Sequence, residues 1–159
     1  MLGLSPNKRG VLDETDTQLL VALGCDLKIN FGYNLLSNAK ISVSSSSFGD
    51  FSAGDLLENN YSSFWKPAES DKKPEFILEF EEEQFFDKLV LSENIMHGQH
   101  VESFEVFAPN EKGKWKSVYE GECIGYKKIC CLEPMKAAKL KVVFTSYRST
   151  PEISYVQLN

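Results

Sequence analysis

The residues best suited to chemistry in this 159-residue chain stand close together in the run Ser92-Glu93-Asn94-Ile95-Met96-His97-Gly98-Gln99-His100-Val101. Two imidazoles, two amides and a carboxyl group within this stretch can donate to and accept from a hydroxyl-rich ligand or a neighbouring domain. Apolar alternation on either side, Leu89 and Leu91 before it and Val101, Phe104 and Val106 after it, predicts two strands with a polar loop between them. Glu93, Asn94, His97, Gln99 and His100 are therefore candidates for ligand or interdomain contact, with an ordinary solvated loop as the plain alternative. Tyr126 joins them, because Gly121 and Gly125 around it predict tight backbone bends that present the ring.

A second constellation is Leu57-Glu58-Asn59-Asn60-Tyr61-Ser62-Ser63-Phe64-Trp65, a polar turn closing onto two aromatics. Glu58 and Asn60 can offer oxygens to calcium, which takes about six to eight of them. Only one side chain in the run is charged, so a hydrogen-bonded turn with Trp65 plugging the end of the core is the stronger reading. Trp65 is carried with Phe64 and Tyr126 as a ring that could stack on sugar. His97 and His100 have no acidic or thiol companion at zinc-ligand spacing, and apart from calcium no cofactor is expected. The 23 acidic residues are scattered, and no G-x-S-x-G, H-E-x-x-H or phosphate-binding loop is present, so this chain alone is not expected to be an enzyme.

The elements that must position these groups follow from the totals and the periodicity. A chain of this length buries roughly 68–70% of its unfolded surface, enough for one domain and a short appendage. The net charge of −6 and pI near 5.0 argue against nucleic acid and anionic lipid as partners. No apolar run approaches the length of about 18 residues that a membrane span needs, so none is expected. Cys25, Cys123, Cys130 and Cys131 show no C-x-x-C pair and are read as mostly buried thiols. Cys130 and Cys131, adjacent on a strand, should face opposite ways, and a bridge from Cys123 to either stays open.

Residues 1–32 carry helical spacing. Asp13 and Asp16 make an acidic start, Leu20, Leu23, Leu27 and Phe31 form an apolar stripe, and Gly32 ends the run, which predicts one amphipathic helix of about four turns. From residue 33 the period becomes two. Strands are expected over 39–44, 75–80, 86–91, 103–108, 116–119, 127–132, 138–144 and 153–158, with Glu81-Glu82-Glu83 as a solvated turn. Alternations such as Phe76/Leu78/Phe80 and Leu140/Val142/Phe144 predict an all-β, antiparallel sandwich or jelly roll over 33–159, preceded by the helix.

With these residues laid out, the chain resembles the C-terminal region of family 29 glycoside hydrolases, the α-L-fucosidases. Leu4-Ser5-Pro6-Asn7-Lys8-Arg9-Gly10-Val11-Leu12 and the helix after it are similar to the end of their catalytic barrel. Residues from Asn34 on resemble the appended discoidin-like domain, the galactose-binding-like fold of coagulation factor V/VIII type C modules. Glu93-Asn94-Ile95, Gly98-Gln99-His100-Val101-Glu102-Ser103-Phe104, Cys123-Ile124-Gly125-Tyr126-Lys127-Lys128-Ile129 and Pro151-Glu152-Ile153-Ser154-Tyr155 carry the resemblance. It implies a non-catalytic accessory module, with the barrel as partner, that packs against the barrel and contacts glycan. The alternative is an independent carbohydrate-binding module for galactose- or fucose-containing glycans. A secreted, periplasmic or lysosomal setting is implied too, although the N-terminus lacks the order of a signal peptide.

Overall fold

A computed structural model describes residues 6–49, 51–59 and 62–159. The chain divides into two compact units, residues 1–34 and 35–159. In the first, helix α1 spans Glu14–Phe31. Asp13 caps its start, its carboxylate accepting the Thr15 N–H at 3.1 Å, and Glu14 and Asp16 place negative charge beside the exposed amides of the first turn. The Gly32 N–H closes the last turn on the Lys28 carbonyl at 2.9 Å.

The helix runs one turn longer than the spacing predicts, and it is not amphipathic. Leu19, Val21, Leu23, Leu27 and Ile29 are all exposed, so apolar side chains surround the axis instead of forming one stripe. By length and composition, Glu14–Asn38 passes as a membrane span, against the expectation that no run would. The α-helix stops at Phe31, however, and Asp26 and Lys28 lie within it. A charge near the bilayer centre costs about 2.5–3.5 kcal/mol, which argues against a span.

The second unit is an antiparallel β-sandwich. Its described strands are β1 (Lys40–Val43), β2 (Glu75–Glu93), β3 (Val101–Pro109), β4 (Trp115–Glu122), β5 (Lys128–Tyr147) and β6 (Ile153–Leu158), ordered β1-β2-β5-β3-β4 with β6 also on β2. The eight predicted segments become six strands because two pairs of them are continuous: 75–80 with 86–91 form β2, and 127–132 with 138–144 form β5. The β2–β5 pairing shifts register between Glu79 and Gln84. Before the shift β2 pairs with β1, Leu78 facing Ile41; after it β2 pairs with β6, Leu91 facing Val156. Glu81, Glu82 and Glu83 are thus not a turn but exposed strand residues at this irregularity, where their charges stay in water.

Period two persists because one face of each strand is buried. Phe76, Leu78, Leu140, Val142, Val106 and Phe104 lie in one core with Leu89, Leu91, Val156 and Leu158, each such side chain stabilising the fold by about 1.5–3 kcal/mol. Trp65 lies among them with its ring centre 6.1 Å from Phe76 and 6.0 Å from Phe144. Gly121 is a strand residue rather than the predicted bend: a Cβ there would lie 2.4 Å from the Phe104 ring, so only glycine lets that ring lie flat on β4. Gly125 does bend, at φ +61.

The cysteines depart from expectation. All four are free thiols, and only Cys130 is buried; Cys25, Cys123 and Cys131 are exposed. Cys130 and Cys131 do face opposite sides, and burial, partly offset by a hydrogen bond with Tyr119, pushes the Cys130 thiol up to about 11.

Candidate functional site

The polar groups singled out in the sequence do not share one surface. β2 runs on to Glu93, so Glu93 ends a buried strand, and the buried Asn94 caps the turn that follows it. Glu93 is 2% exposed. Its Oε1 accepts the N–H of His100 at 2.6 Å and of Val101 at 2.8 Å, and its Oε2 accepts the Gly125 N–H at 3.2 Å. The Glu93 N–H in turn donates to the Gly125 carbonyl at 2.9 Å. One carboxyl group therefore ties the end of β2, the start of β3 and the turn before β5, and what was expected to touch a partner is instead an internal clamp.

Asn94 is also buried and caps a 3-10 turn over Ile95–His97, its Oδ1 accepting the Met96 N–H at 3.3 Å. Gly98, at φ +104, releases the chain from that turn. The Asn94 Nδ2 donates to Glu152 Oε2 at 3.2 Å, and the Asn94 N–H to the Glu152 carbonyl at 2.8 Å. Glu152, 2% exposed, also receives Lys66 Nζ at 2.9 Å on Oε1 and His97 Nδ1 at 2.7 Å on Oε2. Because the carboxylate accepts, the His97 hydrogen sits on Nδ1, and the imidazole, 61% exposed, is held edge-on to Phe64 at 6.0 Å.

His100 is half-buried, with Nδ1 2.8 Å from the Thr150 carbonyl and Nε2 3.3 Å from the His97 carbonyl. Gln99 is exposed, with Nε2 3.5 Å from the Val101 carbonyl, and Tyr126 is 53% exposed. Ile95 and Met96 are exposed beside them. Trp65 is 0% exposed and its Nε1–H donates to the Ser45 carbonyl at 2.9 Å, so its ring fills the core and does not meet a sugar or a partner. Phe64 is nearly as buried. The exposed candidates are thus His97, Gln99 and Tyr126, on loops pinned from below by Glu93 and Glu152.

In the candidate cation turn, Glu58 Oε2 lies 3.3 Å from the Ser63 hydroxyl, and Asn60 falls outside the described residues. Among the described residues no three His, Cys, Asp or Glu side chains gather as metal ligands would.

Sequence reasoning missed Lys66 and Glu152 as partners, because 86 positions separate them. It also passed over the serine run. Ser44 and Ser45 each donate to Asp71 at 2.5 Å and Ser47 to the Pro67 carbonyl at 2.7 Å, fastening the loops that carry Trp65. Burial works to raise the Asp71 carboxyl, but these hydroxyls and the Lys73 N–H hold it below its ordinary value.

Glu152 is governed by the same balance. Burial alone would raise it, yet the hydrogen bonds from Lys66 and His97 outweigh that and hold it below its ordinary value of 4.5. A depressed carboxyl contributes stability that is complete above the unfolded value and disappears as pH falls through the folded one. The melting midpoint is therefore expected to fall below about pH 4.5, and Glu152→Gln to flatten part of that fall while Asp71 retains its share. An acid limb identical in the two proteins would show that Glu152 plays no such part.

A protein-family model described as the F5/8 type C domain matches residues 40–156. Alpha-L-fucosidase 1 of Arabidopsis thaliana is 30% identical, the match covering 99% of this chain and 32% of that protein. The chain thus spans about a third of the length of the curated relatives it matches. A Ruminococcus gnavus GH29 fucosidase solved in complex with fucose is 26% identical with a TM-score of 0.88, over 99% of this chain and 32% of its own. Chitosan-binding module 1 of a Paenibacillus chitosanase/glucanase shares the fold, with a TM-score of 0.68 at 17% identity over 80% of this chain and 98% of that one.

Proposed function

Since the chain belongs to the F5/8 type C domain family, we propose that it serves as a non-catalytic accessory module of an α-L-fucosidase and packs against the catalytic barrel. The observation that carries this reading is the extent of the likeness. The domain family accounts for residues 40–156, whereas the fucosidase relatives match 99% of the chain, the N-terminal helix included. A free-standing sandwich would have no reason to share that helix with them.

The exposed side chains of the Ile95–His100 loop and the Gly125-Tyr126 turn make the contact. A surface that docks on a fixed partner gains from being rigid beforehand, since less ordering entropy is lost on association. Glu93 and Glu152 supply that rigidity from beneath. Ile95, Met96 and Tyr126 bring apolar area, and His97 and Gln99 bring hydrogen bonds, the mixture found at interfaces between domains of one chain.

Mixing the chain with a separately made catalytic portion is expected to raise the melting midpoint of that portion, and Met96→Asp with Tyr126→Asp to abolish the rise. Unchanged melting with the unaltered chain would refute the proposal.

A further inference from the structure

The end of the β3–β4 hairpin and the bend of β2 and β5 enclose a groove of about 660 Å³, within the range of small-ligand sites. Lys112, Lys116 and Lys136 line it, together with Glu83, Glu111 and Asn110. Elsewhere in the sandwich Lys66, Lys88, Lys139 and Lys141 are each matched to a carboxylate, while other exposed lysines such as Lys72, Lys73, Lys114 and Lys127 make no ion pair among the described residues. Among the described residues none of the three groove lysines makes an ion pair. In a chain of net charge −6, what sets these three apart is that they line one groove together, outnumbering the two carboxylates there.

We propose that the groove is a binding site for an acidic oligosaccharide, one whose rings carry carboxylate or sulfate groups. The three ammonium groups would neutralise the anionic substituents. Glu83 and Glu111 would accept hydrogen bonds from ring hydroxyls, which a sugar offers in number and an acidic peptide does not. Pro109, Ala137 and Ala138 provide a small apolar wall that the C–H face of a sugar ring can lie against.

The hairpin is rigid where this matters. Asn110 Oδ1 accepts the N–H of Lys112 and of Lys114, both at 3.0 Å, and the Asn110 N–H donates to the Lys114 carbonyl at 2.8 Å. The site goes beyond the docking role proposed above and uses none of its residues, so each stands or falls without the other.

The test is a chemical-shift titration of the isotope-labelled chain with trigalacturonate, with neutral galactotriose and polyglutamate as controls, at 50 and 500 mM salt. Saturable shifts of residues 109–112 and 136–138 are expected with trigalacturonate alone. Affinity should fall about tenfold at the higher salt, because exposed charges are screened. It should fall about tenfold again in the Lys112→Ala/Lys136→Ala variant, whose melting midpoint is unchanged because both side chains are exposed. Absence of saturable shifts, an equal response to galactotriose, tighter binding of polyglutamate, or an affinity indifferent to the two lysines would each overturn the proposal.

Discussion

Glu93→Ala is expected to destabilise the sandwich by about 3 kcal/mol, lowering its melting midpoint by roughly 6–12 °C, although no salt bridge is broken. The carboxyl group accepts three backbone N–H groups from two segments that meet nowhere else in sequence, at 2.6, 2.8 and 3.2 Å. Removing it leaves those donors without a partner, and a buried unpaired donor costs about 1–3 kcal/mol. Some of that is recovered where water reaches the half-buried His100 amide, which is why the total falls short of three full penalties. Glu93→Gln keeps one accepting oxygen and turns the other into an amide nitrogen that cannot accept, so it should cost less than alanine. Thermal melting of both variants checks this. Equal midpoints for all three proteins would mean that the loops hold themselves.

A second large effect is expected at Trp65. Trp65→Ala should cost about 3–5 kcal/mol, because the ring lies among Phe76 and Phe144 at the end of the core and its truncation leaves a cavity. The Ser45 carbonyl also loses the indole N–H that it accepts at 2.9 Å. Any loss of partner or glycan binding in this variant would therefore follow from lost fold. Tyr126→Ala is the matching control, since that ring is exposed and its removal should leave the stability within about 0.5 kcal/mol of the original. A Trp65→Ala protein that melts like the original would contradict the placement of the ring.

The two residues also mark where the sequence could and could not be read. The strands were legible because each buries one face, and Phe76/Leu78 or Leu140/Val142 announce that with period two. Their continuity was not, because β2 passes its register shift on three exposed glutamates that have the composition of a turn. The start of α1 was legible from Asp13, a local cap. The stripe of Leu20, Leu23, Leu27 and Phe31 does not reveal that Leu19, Val21 and Ile29 make the helix apolar all round.

At the candidate site, residue types suggested hydrogen bonding, and hydrogen bonding is what they do. Glu93 and Asn94 bond inward, however: Glu93 accepts backbone N–H groups 7, 8 and 32 positions away, and Asn94 donates to a carboxylate 58 positions away, which no local pattern reveals. His97 was visible, but the carboxylate that orients it comes from 55 positions further on, and the lysine that shares that carboxylate from 86 positions before it. Networks joined across such distances depend on the topology that brings β6 beside β2, and topology is the part of this fold that spacing alone leaves open.

The proposal on which the rest depends is that this sandwich supports a fucosidase without performing its chemistry. Its two most buried carboxyl groups, Glu93 and Glu152, are both occupied in holding loops, which leaves neither available as the acid or nucleophile that glycoside hydrolysis requires. The direct measurement is hydrolysis of an aryl α-L-fucoside by the purified chain, by a separately made catalytic portion, and by the two mixed at equal concentration. No turnover by the chain alone, and faster or longer-lived turnover by the mixture than by the catalytic portion, is the predicted result; turnover by the chain alone would contradict it.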